Sequence, residues 1–392
     1  IPPVPALDSH DCDCYLVSGA NAGYFQHYEF YDFRKVPLRR RPGSSDADPH
    51  TFPPNNGKKS YLEDDIDEPT DVDNNTKHLF GADTTLFSQT PFAQSWLPQT
   101  WLSRATSISP VVHINSKSNI FIARDPSNPA PDSTILVLRA VRRPDHVSTA
   151  ELESAANNIL HASIRIRLRL FAADPFDPST NSDSPVLNTT RPPPRGACAG
   201  IFTYHSATCE SDIEILASDP QTQIHYANQP DYDPITDDVI PGASVVANIS
   251  SPWTEWATHR LDWFPSESRW FFDNKLLHST NYSVPDKSSM LVVNLWSDGG
   301  IWSGDLGLGQ SVYLGVEWIQ LAYNVSSSDR QEAPVGKPSH GRLRQPSSWA
   351  HPGVQVGVDD DNEDGDMDGD DAFANLIGIS CRRACRVDDL LR

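Results

Sequence analysis

Short apolar runs alternate with polar positions at a period of two along much of this chain, and turn residues separate them. The clearest run is 161–170. Ile164, Ile166 and Leu168 fall on one side, and Arg165, Arg167 and Arg169 on the other. Successive side chains of a strand point to opposite faces, so this is a strand with one buried face. Runs at 119–123, 134–139, 212–216, 268–272 and 291–295 also read as strands, as does the aromatic-rich stretch 12–34. The only helical candidate is short, 149–158. Many short strands between Pro- and Asn-rich turns predict an all-β sandwich or jelly roll.

Two stretches break the pattern. Residues 39–78 hold Arg39-Arg40-Arg41, Pro53-Pro54 and Glu63-Asp64-Asp65, and read as a long surface loop or disordered insertion. After 325 a Ser/Pro/Gly-rich linker leads to 359–371, which holds nine acids and no base. Asp360, Asn362, Asp364 and Gly365 echo the start of a calcium-binding loop, but Asp371 stands where a glutamate belongs. The expected organisation is a β domain over 1–325, followed by a linker and acidic tail over 326–392, mostly disordered.

Charge and cysteine usage narrow the function. A formal net charge of −21 argues against nucleic acid and anionic membrane, whereas a neutral polysaccharide partner is compatible. No apolar run approaches the roughly 18 residues of a membrane span. The start Ile1-Pro2-Pro3, six cysteines, and Asn-X-Ser/Thr acceptors at Asn74, Asn188, Asn248, Asn281 and Asn324 fit a secreted, extracellular or cell-wall glycoprotein. A monomer is expected.

The candidate chemistry lies in Glu210-Ser211-Asp212-Ile213-Glu214. On a strand, Glu210, Asp212 and Glu214 share one face, and Ile213 and Ile215 the other. The Cα atoms of Glu210 and Glu214 lie ~13 Å apart at ~3.3 Å per residue, and inclined side chains can approach the roughly 5–5.5 Å of a retaining glycosidase. Crowded carboxylates push at least one proton affinity upward, as a general acid needs. Taken alone, the pattern also fits a solvated strand face or a set of calcium ligands.

The segment resembles the E-x-D-x-E signature of glycoside hydrolase family 16, whose fold is a concanavalin A-like β-jelly roll. The likeness continues in family order through Thr149-Ala150-Glu151, Gly200-Ile-Phe-Thr-Tyr-His205, His225-Tyr226, His259-Arg-Leu-Asp-Trp263, Trp270-Phe-Phe-Asp273, and Val292-Val-Asn-Leu-Trp296 with Gly299-Gly-Ile-Trp-Ser-Gly304. Asn274 stands where the family has glycine, and Val293 where it has leucine. The overall look is that of fungal members. The resemblance implies Glu210 as nucleophile, Asp212 as its assistant and Glu214 as acid/base.

Aromatic rings stack on the C–H faces of sugars. Tyr204, His225, Tyr226, Trp253, Trp256, Trp296 and Trp302 are candidates for the cleft, and the resemblance adds Asn294. Trp263 and Trp270 read as packing. Cys198 and Cys209 are expected to form a disulfide bracing Glu210, and Cys12 and Cys14 to pair elsewhere than with each other. Cys381 and Cys385 lack nearby histidines, so no zinc is expected. No cofactor is expected; a structural calcium ion stays open without being indicated. The reading is a retaining endo-β-glucanase acting on β-1,3 or mixed β-1,3/1,4 linkages. A wall-glucan transglycosylase and a non-catalytic lectin-like protein are the alternatives.

Overall fold

The computed structural model describes residues 12–18, 23–38, 80, 84–128, 130, 132–172, 192–233, 235–236, 238–326 and 381–391. The 39–78 stretch and the acidic run 359–371 lie outside these residues.

The described residues form strands joined by turns and short 3-10 segments. The first strands are β1 (Cys14–Leu16), β2 (Tyr24–Phe25), β3 (His27–Asp32), β4 (Thr85–Leu86), β5 (Trp96–Pro98), β6 (Leu102–Ser103) and β7 (His113–Asn115). Next come β8 (Ile120–Arg124), β9 (Thr134–Arg142), β10 (Val147–Ser154), β11 (Ile159–Phe171), β12 (Cys198–Ser206), β13 (Cys209–Leu216) and β14 (Gln223–Asn228). The last are β15 (Ser244–Asn248), β16 (Ala257–Trp263), β17 (Ser268–Phe272), β18 (Lys275–Thr280), β19 (Met290–Trp296), β20 (Ser311–Val325) and β21 (Ala384–Arg386).

The expected all-β sandwich is what the chain forms. One sheet runs β5-β10-β19-β12-β13-β14-β15, antiparallel throughout. In the other, β20 pairs with β11 on one side and with β9 and β3 on the other. That sheet continues from β11 through β16 and β17 to β18, and from β9 through β8 to β4. Strand β10 joins the sheets: its start pairs with β7 and β9, and its remainder with β19 and β5.

The alternation decides what fills the space between the sheets. Ile201, Ile213, Ile215, Ile224, Val293 and Leu295 from the first sheet meet Ile164, Ile166, Leu168, Leu261, Trp263 and Leu314 from the second. Each large apolar side chain buried there contributes about 1.5–3 kcal/mol. Arg165, Arg167 and Arg169 point the other way, as their alternation predicts.

Two expectations are corrected. The helical candidate 149–158 is mostly strand: Ala150 and Leu152 face the core, and Glu151 and Glu153 lie opposite Asn294 and Val292 of β19. Pairing on both sides overrides weak local helical preference. Cys198 and Cys209 form no disulfide. They stand at opposite ends of the β12–β13 hairpin, where Cys198 pairs with Leu216 and Cys209 with Ser206. Eight residues of strand separate Cys198 from the turn, roughly 26 Å, far beyond the roughly 7 Å Cα limit of a disulfide.

The bonds formed are Cys12–Cys385 and Cys14–Cys381. They hold β21 parallel to β1, which pairs with β2 on its other edge. The end of the expected tail is therefore a strand of a small third sheet. It sits against the outer face of the second sheet, where Arg165 pairs with Asp388 and Gln320 Nε2 donates to the Val387 carbonyl at 3.1 Å.

Candidate active site

Strand β13 lies inside the first sheet, between β12 and β14. Its isoleucines anchor it to the core, so Glu210, Asp212 and Glu214 all emerge on the opposite face. Glu210 and Asp212 are 5% and 3% exposed, while Glu214 is half-buried.

Directly paired residues of antiparallel strands share a face. Glu210 stands opposite Tyr204, Asp212 opposite Phe202 and Ala227, and Glu214 opposite Gly200 and His225. One strand further, Gly200 stands opposite Asn294, and Cys198 opposite Trp296. The sheet thus brings Tyr204, His225, Asn294 and Trp296 onto the face of the acids.

Hydrogen bonds fix this face. Gln229 Nε2 donates to Asp212 Oδ2 at 3.0 Å. Cys198 Sγ lies 3.5 Å from Glu214 Oε1, within reach of a weak S–H donation. His225 Nε2 is 2.5 Å from Asp219 Oδ2, and its ring meets Trp302 edge-on at 4.8 Å. Asn294 Oδ1 accepts from the Gly200 amide at 3.1 Å, and its Nδ2 donates to Glu151 Oε2 at 3.3 Å. Trp101 Nε1 donates to Glu151 Oε1 at 2.8 Å. Trp302 is buried against Cys198, Leu216 and Trp296, so it supports the Glu214 end of the face as packing rather than as an open platform.

Three of the aromatic candidates lie elsewhere. Tyr226 is turned to the core and stacks on Trp270, with ring centroids 5.6 Å apart. Its neighbour His225 takes the acid face, and a period of two forbids both from doing so. Burial pushes the Tyr226 hydroxyl well above its ordinary range. Trp253 is also core. Trp256 lies on the outer face of the second sheet, under the Arg169 guanidinium at 4.7 Å and beside Phe171 and Tyr313.

Four residues beside the acids escaped sequence reasoning. Glu151 and Glu153 are buried on the same face, and their own alternation with Leu152 was the available signal. Gln229 and Asp231 reach the site from the segment after β14, and nothing local in the sequence marks them. Burial and the charges of Asp212 and Glu214 push the Asp231 carboxyl up to about 7. Among the described residues, no group of three or more His, Cys, Asp or Glu is arranged to hold a metal ion.

No protein-family model matches the chain. A β-glucanase of Paenibacillus polymyxa is 24% identical over 152 residues, 36% of this chain and 58% of that enzyme. The match thus spans little more than half of the relative's length. Among solved structures, a Bacillus licheniformis β-glucanase overlays with a TM-score of 0.44 at 16% identity, over 62% of this chain and 97% of that one. A family 16 endo-glucanase from Bacteroides ovatus overlays with a TM-score of 0.42 at 17% identity, over 61% and 98%.

Proposed function

We propose that the protein is a retaining endo-β-glycosidase acting on β-glucan, with the chemistry on β13. The observation that carries this reading is the shared face of Glu210, Asp212 and Glu214 on a core-anchored strand, with Asp212 held by Gln229. The partial likeness to a bacterial β-glucanase supports the substrate class.

The Glu210 carboxylate attacks the anomeric carbon while Glu214 donates its proton to the leaving glycosidic oxygen. The sugar is then an ester of Glu210. Glu214, now ionised, takes a proton from water as the water oxygen bonds the anomeric carbon and releases Glu210. Two inversions give net retention. Asp212 orients the nucleophile, and Tyr204, His225, Asn294 and Trp296 line the path of the glycan. β-1,3 and mixed β-1,3/1,4 glucans are the preferred substrates.

The chain is read as secreted. Two disulfides and half-exposed to exposed acceptors at Asn248, Asn281 and Asn324 support this. Among the described residues no helix is long and apolar enough to cross a membrane.

The decisive experiment measures reducing-end release from laminarin and mixed-linkage glucan by wild type and Glu210→Gln. The expected result is activity in wild type and a loss of at least a thousandfold in the variant. An equally active variant rejects the assignment of Glu210, and first-formed α-anomer by NMR rejects retention.

A further inference from the structure

Segment 229–231, after β14, is clamped against the acidic strand. The Gln229 amide N–H donates to the Glu210 carbonyl at 2.9 Å, and the Gln229 side chain bridges two partners. Its Nε2 donates to Asp212 Oδ2 at 3.0 Å, and its Oε1 accepts from the Asp231 amide at 3.1 Å. From the far side, Ser283 Oγ donates to the Gln229 carbonyl at 2.7 Å, and Tyr282 Oη donates to the Pro230 carbonyl at 2.9 Å. The Ile240 amide holds the Asp231 carbonyl at 2.9 Å.

This clamp buries Asp231 to 2% exposure, and its Oδ1 has no hydrogen-bond partner. A buried carboxylate oxygen without a donor is costly when ionised. Burial raises its proton affinity most, the charges of Asp212 and then Glu214 raise it further, and hydrogen bonds from its own backbone and from Gln229 offset part of the rise. A carboxyl in this position keeps a proton where an ordinary aspartate has lost it.

We propose that Asp231 is a positioning residue that carries a proton beside Asp212 and Glu214 and sets the pH at which Glu214 ceases to be a proton donor. The proposal rests on the assignment of Glu214 as acid/base. While Asp231 is neutral it adds no charge to the cluster. The coupling is reciprocal: Asp231 and Glu214 each resist carrying a negative charge beside the other, so each loses its proton at a higher pH than it would alone. Asp212 and Glu214 face it from β13. Tyr282 faces it from the segment after β18, where burial and then the charge of Asp231 push that hydroxyl up. Its own segment carries Asp233, half-buried, and Asp238, exposed.

Asp231→Asn keeps the shape and stays neutral at every pH. The alkaline limb of its kcat/KM profile on laminarin should move down by about 0.5–1 pH unit, because Glu214 no longer has a carboxyl partner to share charge with. KM should change little. An unchanged alkaline limb in the folded variant overturns the proposal, since a purely structural role moves stability and not the limb. A second measurement needs no turnover: carboxyl 13C NMR titration of Asp231. The expected midpoint is near 7 in wild type and lower in Asp212→Asn. An ordinary aspartate midpoint in wild type also overturns the proposal, even if Asp231→Asn fails to fold. If Glu210→Gln retains full activity while the NMR midpoint stays high, the reaction assignment has failed and the carboxyl coupling has not.

Discussion

The thiol of Cys198 lies 3.5 Å from the Glu214 carboxylate and is fully buried against Leu216 and Trp302. A thiol is a weak donor, whereas a hydroxyl at the same place is a strong one. A stronger bond to the ionised carboxylate lowers its proton affinity. Cys198→Ser should therefore move the alkaline limb of the kcat/KM profile to lower pH and cost about 1 kcal/mol of stability, because it buries a polar atom. A limb that stays put in a folded Cys198→Ser protein removes Cys198 from the proton chemistry.

Gly200 is the cross-strand neighbour of both Glu214 and Asn294. A Cβ there would lie 2.7 Å from Asn294 Oδ1 and 3.3 Å from the Phe202 ring. Gly200→Ala must push Asn294 off its bonds to the Gly200 amide and to Glu151. The expected loss is on the order of tenfold to a hundredfold in kcat/KM, with about 1–3 kcal/mol from overpacking. Steady-state kinetics and thermal melting read the two effects separately.

His259 predicts a loss of stability in acid. It is completely buried, and neither ring nitrogen has a hydrogen-bond partner. Burial lowers its pKa from 6.5 to about 3. The folded state therefore refuses a proton that the unfolded state accepts. Its contribution is complete above pH 6.5 and is lost as pH falls from there toward 3, with a slope of about 1.4 kcal/mol per pH unit. His259→Phe should flatten the fall in Tm between pH 6.5 and 4. An equally steep fall in the variant assigns the acid sensitivity to other groups.

The two disulfides should matter for stability and not for turnover. Cys12–Cys385 and Cys14–Cys381 hold the terminal sheet against the outer face of the second sheet, across the sandwich from Glu210. Reduction should lower stability by about 2–4 kcal/mol and speed hydrogen exchange at 14–16 and 384–386. Initial rates at 25 °C should not change. Loss of turnover without unfolding would show that the terminal sheet reaches the site.

Local periodicity was enough for what depends on neighbours along the chain. The two faces of 164–169 were legible in the sequence, as was the separation of Glu210, Asp212 and Glu214 from Ile213 and Ile215. Both follow from a single strand's period of two. Periodicity also separates His225 from Tyr226: the two are adjacent, so only one of them can face the acids. Glu151 and Glu153 alternate with Leu152, but a weakly helical composition hid the strand.

Contacts between distant segments were decided only by the tertiary structure. Pairing of β13 with β12 and β14 set which residues stand beside each acid. The clamp on 229–231 brought in Gln229 and Asp231 through backbone hydrogen bonds that leave no local trace in sequence. Trp256 went to the opposite side of the molecule because it precedes β16 in the second sheet. Cys12 and Cys14 paired with Cys385 and Cys381 across more than 360 residues because β1 and β21 met in parallel. A strand's own faces follow from its backbone geometry, whereas its neighbours depend on which distant segments bury each other's apolar sides.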